Sequence, residues 1–316
     1  MPHCSSFQNV TIEEIEISDN WNIHPFISSQ PSARLSSSIQ NTGLLHPPIL
    51  LKLSSNRYQL ICGRSRINIF QQVYSAQSFI TALILDEKTP TRRILSYVLE
   101  DQLLNCGLSP MEKAFFFKIT LNHMTIKDAV DCFSPIFNEK IQAHAINKLI
   151  LLSGLEPELQ IDVHIGKLGE KTALELLQLD TKDRLTLHSI FQELELGGGK
   201  QKRLLALSKD LAFGQRKSIT ELLTESDFKE ILNHPEMNHP QKAANLFSTL
   251  QKKLFPQSNA AEDHFIKSVN KMELPASCSV NHSQAFEKDE ISVVLRFNTL
   301  TEVEKRLSEI KKLMKK

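Results

Sequence analysis

The chain has 316 residues, 41% of them hydrophobic, and 37 Lys and Arg against 36 Asp and Glu leave a net charge of +1. That length suits two or three domains of roughly 100–200 residues, and no apolar run approaches the roughly 18 residues of a membrane span. The near-neutral balance gives no global pull toward nucleic acid, so any such contact has to come from local basic clusters.

Five scattered cysteines, Cys4, Cys62, Cys106, Cys132 and Cys278, lack the spacing of a zinc site or a disulfide framework. The N-terminus shows no basic stretch leading into an apolar one. A cytoplasmic protein is the expectation. In chain order, Ile12, Ile15 and Ile17 with interleaved acids predict a short edge strand, followed by a loop over 21–31. Leu35 and Ile39 share a helical face, and Gly43 stands where a left-handed residue closes that helix. After His46-Pro47-Pro48, the apolar run Ile49 to Leu53 and the alternating Tyr58, Leu60 and Cys62 predict a hairpin turning at Ser54-Ser55-Asn56.

The second hairpin strand runs into Gly63-Arg64-Ser65-Arg66 at a helix start, where backbone N–H groups and guanidinium forks converge on anions. Cys62, just before it, reads as a core residue at a strand end. Ile67, Phe70 and Val73 continue the helix, Phe79 to Leu85 forms a strand, and Pro90 opens a helix through Ile94 and Val98 to Leu103. Glu100 and Asp101 put two adjacent acids near the end of that helix.

Ser109-Pro110-Met111-Glu112 is a capping box with proline at the first helical position, and it opens a helix to about Met124. Thr125 to Asp128 repeats the device for a helix that Ser134-Pro135 is expected to break, and Lys140 to Leu152 forms a third. As a helix-turn-helix, this third helix would offer Lys140, Gln142, His144, Asn147 and Lys148 to a major groove. Ordinary helix packing is the alternative.

Further on, Ala173, Leu176 and Leu177 predict a core helix, and a helix over 185–196 ends at Gly197-Gly198-Gly199. Lys200, Lys202 and Arg203 then start another, which is either a phosphate seat or a capped turn before a solvated face. His234 to Pro240 reads as an interdomain break, and its histidines and Glu236 lie on a proline-broken loop that does not favour a metal. Helices over 246–254 and 265–272 precede a hairpin whose strand 291–297 has one buried face. Thr301 caps a terminal helix with Val303, Leu307, Ile310 and Met314 near heptad spacing, a packing face or a dimer seam.

The order Gly43-Leu44-Leu45 to Ile49 followed by Gly63 to Arg66 resembles the "G-L-L-x-P-I" and "G-E-R-R" stretches of the ParB family, related in fold to sulfiredoxin. Gly63 and Arg66 fall on the family positions, while Arg64 replaces the glutamate and Ser65 the first arginine. The family's "E-N-x-x-R" stretch falls near Glu100 to Asn105, and its "N-P-x-E-x-A" helix entry is carried by Ser109, Pro110, Glu112 and Ala114.

The resemblance implies an α+β multidomain chain. A small mixed α/β ParB/sulfiredoxin-like domain spans 1–108, an all-α helix-turn-helix-type domain 109–225, and a small α+β domain 226–316 that dimerises. It further implies a DNA-binding partition protein that binds double-stranded DNA and works with a partition ATPase, without a membrane, as a nucleoid-associated homodimer. CTP with Mg2+ would be its ligand, held by Gly43, Gly63, Arg64, Ser65, Arg66, Glu100 and Asp101, with residual CTP hydrolysis left open. The alternative is a protein–protein adaptor that keeps the fold and has lost both ligands.

Overall fold

The computed structural model describes residues 5–24, 33–55, 57–74, 77–103, 107–137, 141–272, 274, 278–283 and 290–304. The chain divides into two compact units, Met1–Phe191 with Leu196–Lys202, and Gln192–Glu195 with Arg203–Lys316.

The first unit opens with β1 (Ser6–Thr11), a 3-10 turn (Ile12–Glu14) and β2 (Ile15–Glu16). Of the expected edge strand through Ile12, Ile15 and Ile17, only Ile15–Glu16 is a strand, at one edge of the sheet, while Ile12 lies in the 3-10 turn. The longer strand at the other edge is the preceding SFQNVT, which buries little beyond Val10 and so shows no clear alternation. Ile12 and Ile15 do point inward, but from the two ends of a tight turn in which the Thr11 N–H donates to Glu14 Oε2 at 3.1 Å. Then come α1 (Ala33–Thr42), β3 (Ile49–Lys52), β4 (Tyr58–Cys62), α2 (Arg64–Val73), β5 (Phe79–Leu85) and α3 (Thr91–Leu103).

The strands form one sheet in the order β1-β5-β3-β4-β2. β3 is antiparallel to β4, as the hairpin required, and parallel to β5. Leu50, Leu60, Ile80, Ala82 and Ile84 on the sheet and Ile39, Ile67 and Phe70 on α1 and α2 make one apolar core. Gly43, with φ +74°, closes α1 by donating its N–H to the Ile39 carbonyl at 3.0 Å.

The helical part of this unit contains α4 (Pro110–Leu121), α5 (Ile126–Phe137), α6 (Ala143–Leu151), a 3-10 turn (Leu152–Gly154), α7 (Pro157–His164), α8 (Glu170–Leu176) and α9 (Thr181–Glu193). Its centre is aromatic. The ring of Phe116 meets Phe133 edge-on at 5.1 Å and Phe137 at 6.1 Å, and Phe117 stacks on Phe137 at 5.7 Å. These contacts correct the expected break at Pro135. The helix runs through it, because Phe133 and Phe137 on either side hold the last turn against α4. Ala173 and Leu176 are buried as expected, whereas Leu177 is half-exposed because α8 has already ended.

α10 (Gly198–Gln215) begins in the first unit and ends in the second. The second unit continues with α11 (Ile219–Leu223), α12 (Ser226–Leu232), α13 (His239–Leu254), α14 (Pro256–Asn270), β6 (Cys278–His282) and β7 (Ile291–Leu295). The His234–Pro240 stretch lies inside this unit, joining α12 to the capping box of α13 at Asn238 and Gln241. β7 pairs antiparallel with β6, yet every one of its residues is exposed, against the expected buried face. α14 meets the ribbon at β6, where Phe265 sits edge-on to His282 at 4.7 Å, and β7 is left uncovered. The side-chain acceptor near 301 is also corrected: Thr299 Oγ1, rather than Thr301, takes the Glu302 N–H at 3.4 Å. Leu307, Ile310 and Met314, expected on that helix, lie outside the described residues.

Candidate functional site

The hairpin delivers the chain from β4 directly into α2, and Gly63 is the residue that makes the turn. Its φ of +99° is left-handed, and a Cβ there would sit 3.1 Å from Pro48 Cβ and 3.2 Å from the Arg66 guanidinium carbon. Both conditions demand glycine. No side chain caps α2, so the N–H groups of its first turn are those that helix geometry leaves without an intrahelical acceptor.

A cavity of about 550 Å3 opens at this turn. Gly63, Arg64, Ser65 and Arg66 line it together with Asp101 from α3, so the sequence-predicted group is brought to one place except for Gly43 and Glu100. Gly43 serves instead as the end of α1, and Glu100 is on the exposed side of α3.

Both guanidiniums are already engaged. Arg66 Nη1 donates to the His46 carbonyl at 2.8 Å, and its Nη2 reaches both Asp101 carboxylate oxygens at 3.3 and 3.4 Å. Arg64 Nη2 donates to the Ser18 carbonyl at 2.6 Å and pairs with Asp19 Oδ1 at 2.7 Å. Cys62 lies at the rear, with burial, and then the negative charge of Asp101, pushing its thiol pKa well up despite Arg66. A thiol held protonated in this way is no nucleophile.

Residues that sequence reasoning did not single out complete the walls: Ser18, Trp21, His24, His46, Gln102 and His164. They are held by a polar mesh. Trp21 Nε1 donates to Gln59, which donates to Ser18 Oγ, while the Trp21 ring stacks on His123 at 5.3 Å. His24 Nδ1 lies 2.5 Å from Glu112 Oε1, and Ser109 Oγ lies 2.8 Å from His164 Nδ1. The capping box of α4, whose Glu112 Oε2 accepts the Ser109 N–H at 2.8 Å, therefore anchors two histidines of the cavity wall.

Of the residues proposed for DNA, Gln142 occupies the N-cap position of α6 with its side chain making no capping hydrogen bond, and His144, Asn147 and Lys148 are all exposed on the helix, with Ile146 and Leu149 buried behind. Lys140 lies outside the described residues. Lys200 and Lys202 are exposed in the first turns of α10. Arg203 is exposed too, but its guanidinium lies over the Phe247 ring at 5.0 Å. Among the described residues no group of three or more His, Cys, Asp or Glu could hold a metal ion, and no helix is long and apolar enough to cross a membrane.

Residues 2–97 match the model of the ParB N-terminal domain, a span that covers the whole sheet and most of α3. This part of the chain is similar to a ParB N-terminal domain. After it in the sequence come a helical middle region and small C-terminal strands. Among solved structures the chain is similar to a pNOB8-like ParB N-domain, with 17% identity, 79% of this chain and 96% of that one covered, and a TM-score of 0.38. It is also similar to the C-terminally truncated chromosome-partitioning protein ParB from Caulobacter crescentus. The form complexed to the centromeric parS site gives 15% identity, coverage of 63% and 98%, and a TM-score of 0.36. The form complexed with CTP-gamma-S gives 16%, 56% and 94%, and 0.26. No curated protein matches the chain.

Proposed function

We propose that the ParB N-terminal domain of this chain binds a nucleoside triphosphate, CTP with Mg2+ by resemblance to its family, and that the helical segment behind it binds double-stranded DNA in partition or related regulation. One observation carries the reading: Arg64, Ser65, Arg66 and the N-terminal turn of α2 face a single cavity large enough for a nucleotide. Gly63 lets the backbone approach the ligand, the first N–H groups of α2 would meet phosphate oxygens, and Arg66 would clamp them with its fork. Asp101 is the acid placed to face a bound cation. The bound nucleotide would supply a triphosphate whose charge Mg2+ partly neutralises.

On this reading 1–108 holds the ligand, 109–225 meets DNA through Gln142, His144, Asn147 and Lys148, and 226–316 pairs two copies into a homodimer at the nucleoid, with a partition ATPase as partner. Titration calorimetry with CTP, with and without Mg2+, tests the first part. Saturable heat that disappears in Arg66→Ala, with the fold intact, is expected, and no heat under either condition would overturn it.

A second reading, a protein–protein adaptor that has lost both ligands, is favoured by the ion pairs that already occupy both arginines. Retention on duplex DNA separates the two, since phosphate contacts weaken steeply with salt and an adaptor would show no retention even at about 50 mM.

A further inference from the structure

Arg64 and Arg66 come from one turn of α2, but the acids that face them come from unrelated places. Asp19 sits in the loop after β2, and Asp101 is near the end of α3. The Arg66–Asp101 pair is well covered, with side-chain exposures of 16% and 20%, and the carboxylate presents both oxygens to one guanidinium nitrogen. A carboxylate presents two anionic oxygens to a guanidinium much as a phosphate does. These two acids therefore offset the charge of the two arginines, Asp101 from the cavity wall and Asp19 from the solvent side of Arg64, and each guanidinium also donates to a backbone carbonyl, of Ser18 or of His46.

We propose that Asp19 and Asp101 act as internal competitors for the phosphate-binding arginines, so that these carboxylates, rather than the arginines alone, set how tightly the cavity takes a polyphosphate. The inference rests on the nucleotide reading given above and says what limits that site. A polyphosphate entering without a cation must displace Asp101 from Arg66 and remain close to the displaced carboxylate, which opposes it by like-charge repulsion. Replacing the acid with its uncharged isostere leaves the guanidinium available and removes the repulsion. Asp101 is the stronger competitor, because its pair is largely buried and poorly screened, whereas the Asp19 side chain is 81% exposed.

The test is calorimetry in EDTA, with inorganic triphosphate and with CTP as the probes, on the full chain and on Asp101→Asn, Asp19→Asn and Asp101→Asn combined with Arg66→Ala. Thermal unfolding of each variant reports the fold. Asp101→Asn is expected to bind both probes about tenfold or more tightly than the parent, Asp19→Asn by a smaller factor, and the double variant to lose the gain. Because Asp19 is exposed, its variant keeps the proposal testable should Asp101→Asn fold poorly. Binding by the parent that is unchanged or weakened in both single variants would overturn this inference and leave the nucleotide reading standing. Absence of binding by the parent and by every variant, up to millimolar probe and with Mg2+ restored, would overturn both.

Discussion

Gly63 and the two arginines after it were legible because they are neighbours in the chain, and a glycine before two cations at a helix start carries its chemistry locally. Apart from Asp101, their surroundings were not. Asp19 pairs with Arg64 from the loop after β2, and His24, His46 and His164 line the cavity from separate loops and helices, with no spacing that announces them. Gly63→Ala is expected to cost about 1–3 kcal/mol, since alanine must hold a left-handed φ against Pro48 and Arg66; chemical denaturation measures it, and an unchanged midpoint would contradict the geometry. Cys62 should resist alkylation in the folded protein while the half-buried Cys132 and Cys278 react, a difference that mass spectrometry reads directly. At Glu112 burial pushes the carboxyl pKa up, but the hydrogen bonds from His24 and the Ser109 backbone outweigh it and hold the group below the usual glutamate range. A carboxyl lowered on folding stabilises above its unfolded value, about 4.3, and loses that contribution as pH falls through the lowered folded value. Glu112→Gln should therefore melt below the parent at neutral pH, with the gap closing as the solution is acidified through that window. A gap independent of pH would show that the carboxylate charge does not matter there.

Among the elements, the hairpin, α2, β5 and α4 followed from local signals: alternation, a left-handed glycine, and a capping box with proline at the first position. β1 escaped because an edge strand with little to bury has no pattern to display. The continuation of α5 through Pro135 escaped because the aromatic contacts with α4 that support it come from another helix. On the proposed reading, α6 bears on DNA binding most directly. Its exposed row of His144, Asn147 and Lys148 contains one residue that is a cation at every physiological pH. Lys148→Ala should weaken duplex binding across sequences and lower the slope of log K against log salt by about 1. An unaltered slope would move the phosphate contacts elsewhere, to Lys200 and Lys202 first. β7 carries Ile291 and Val293 at 64% and 60% exposure on a two-stranded ribbon, apolar surface that a second copy of the chain would cover. If the proposed homodimer forms through this ribbon, Val293→Lys is expected to shift the protein toward monomer in sedimentation velocity, and an unchanged mass distribution would show that the ribbon carries no dimer contact.

For the molecule as a whole, the N-terminal domain was the best-marked part because its motifs, sheet order and domain match all fall within the same hundred or so residues. The division of the chain was harder to read. The compact units part around 192–203 and within α10, a continuous helix whose sequence offers no break, whereas the proline-rich stretch at 234–240 that looked like a boundary is a turn inside the second unit. Whether the Gly63–Arg66 corner receives phosphate decides the proposed function. A crystal structure of the full chain soaked with CTP and Mg2+ decides it. We expect phosphate oxygens within hydrogen-bond reach of the α2 N-terminal amides and of Arg66, with Asp101 released from its guanidinium. A clearly bound nucleotide at another place, or the cavity without nucleotide and both ion pairs intact at saturating CTP, would contradict it.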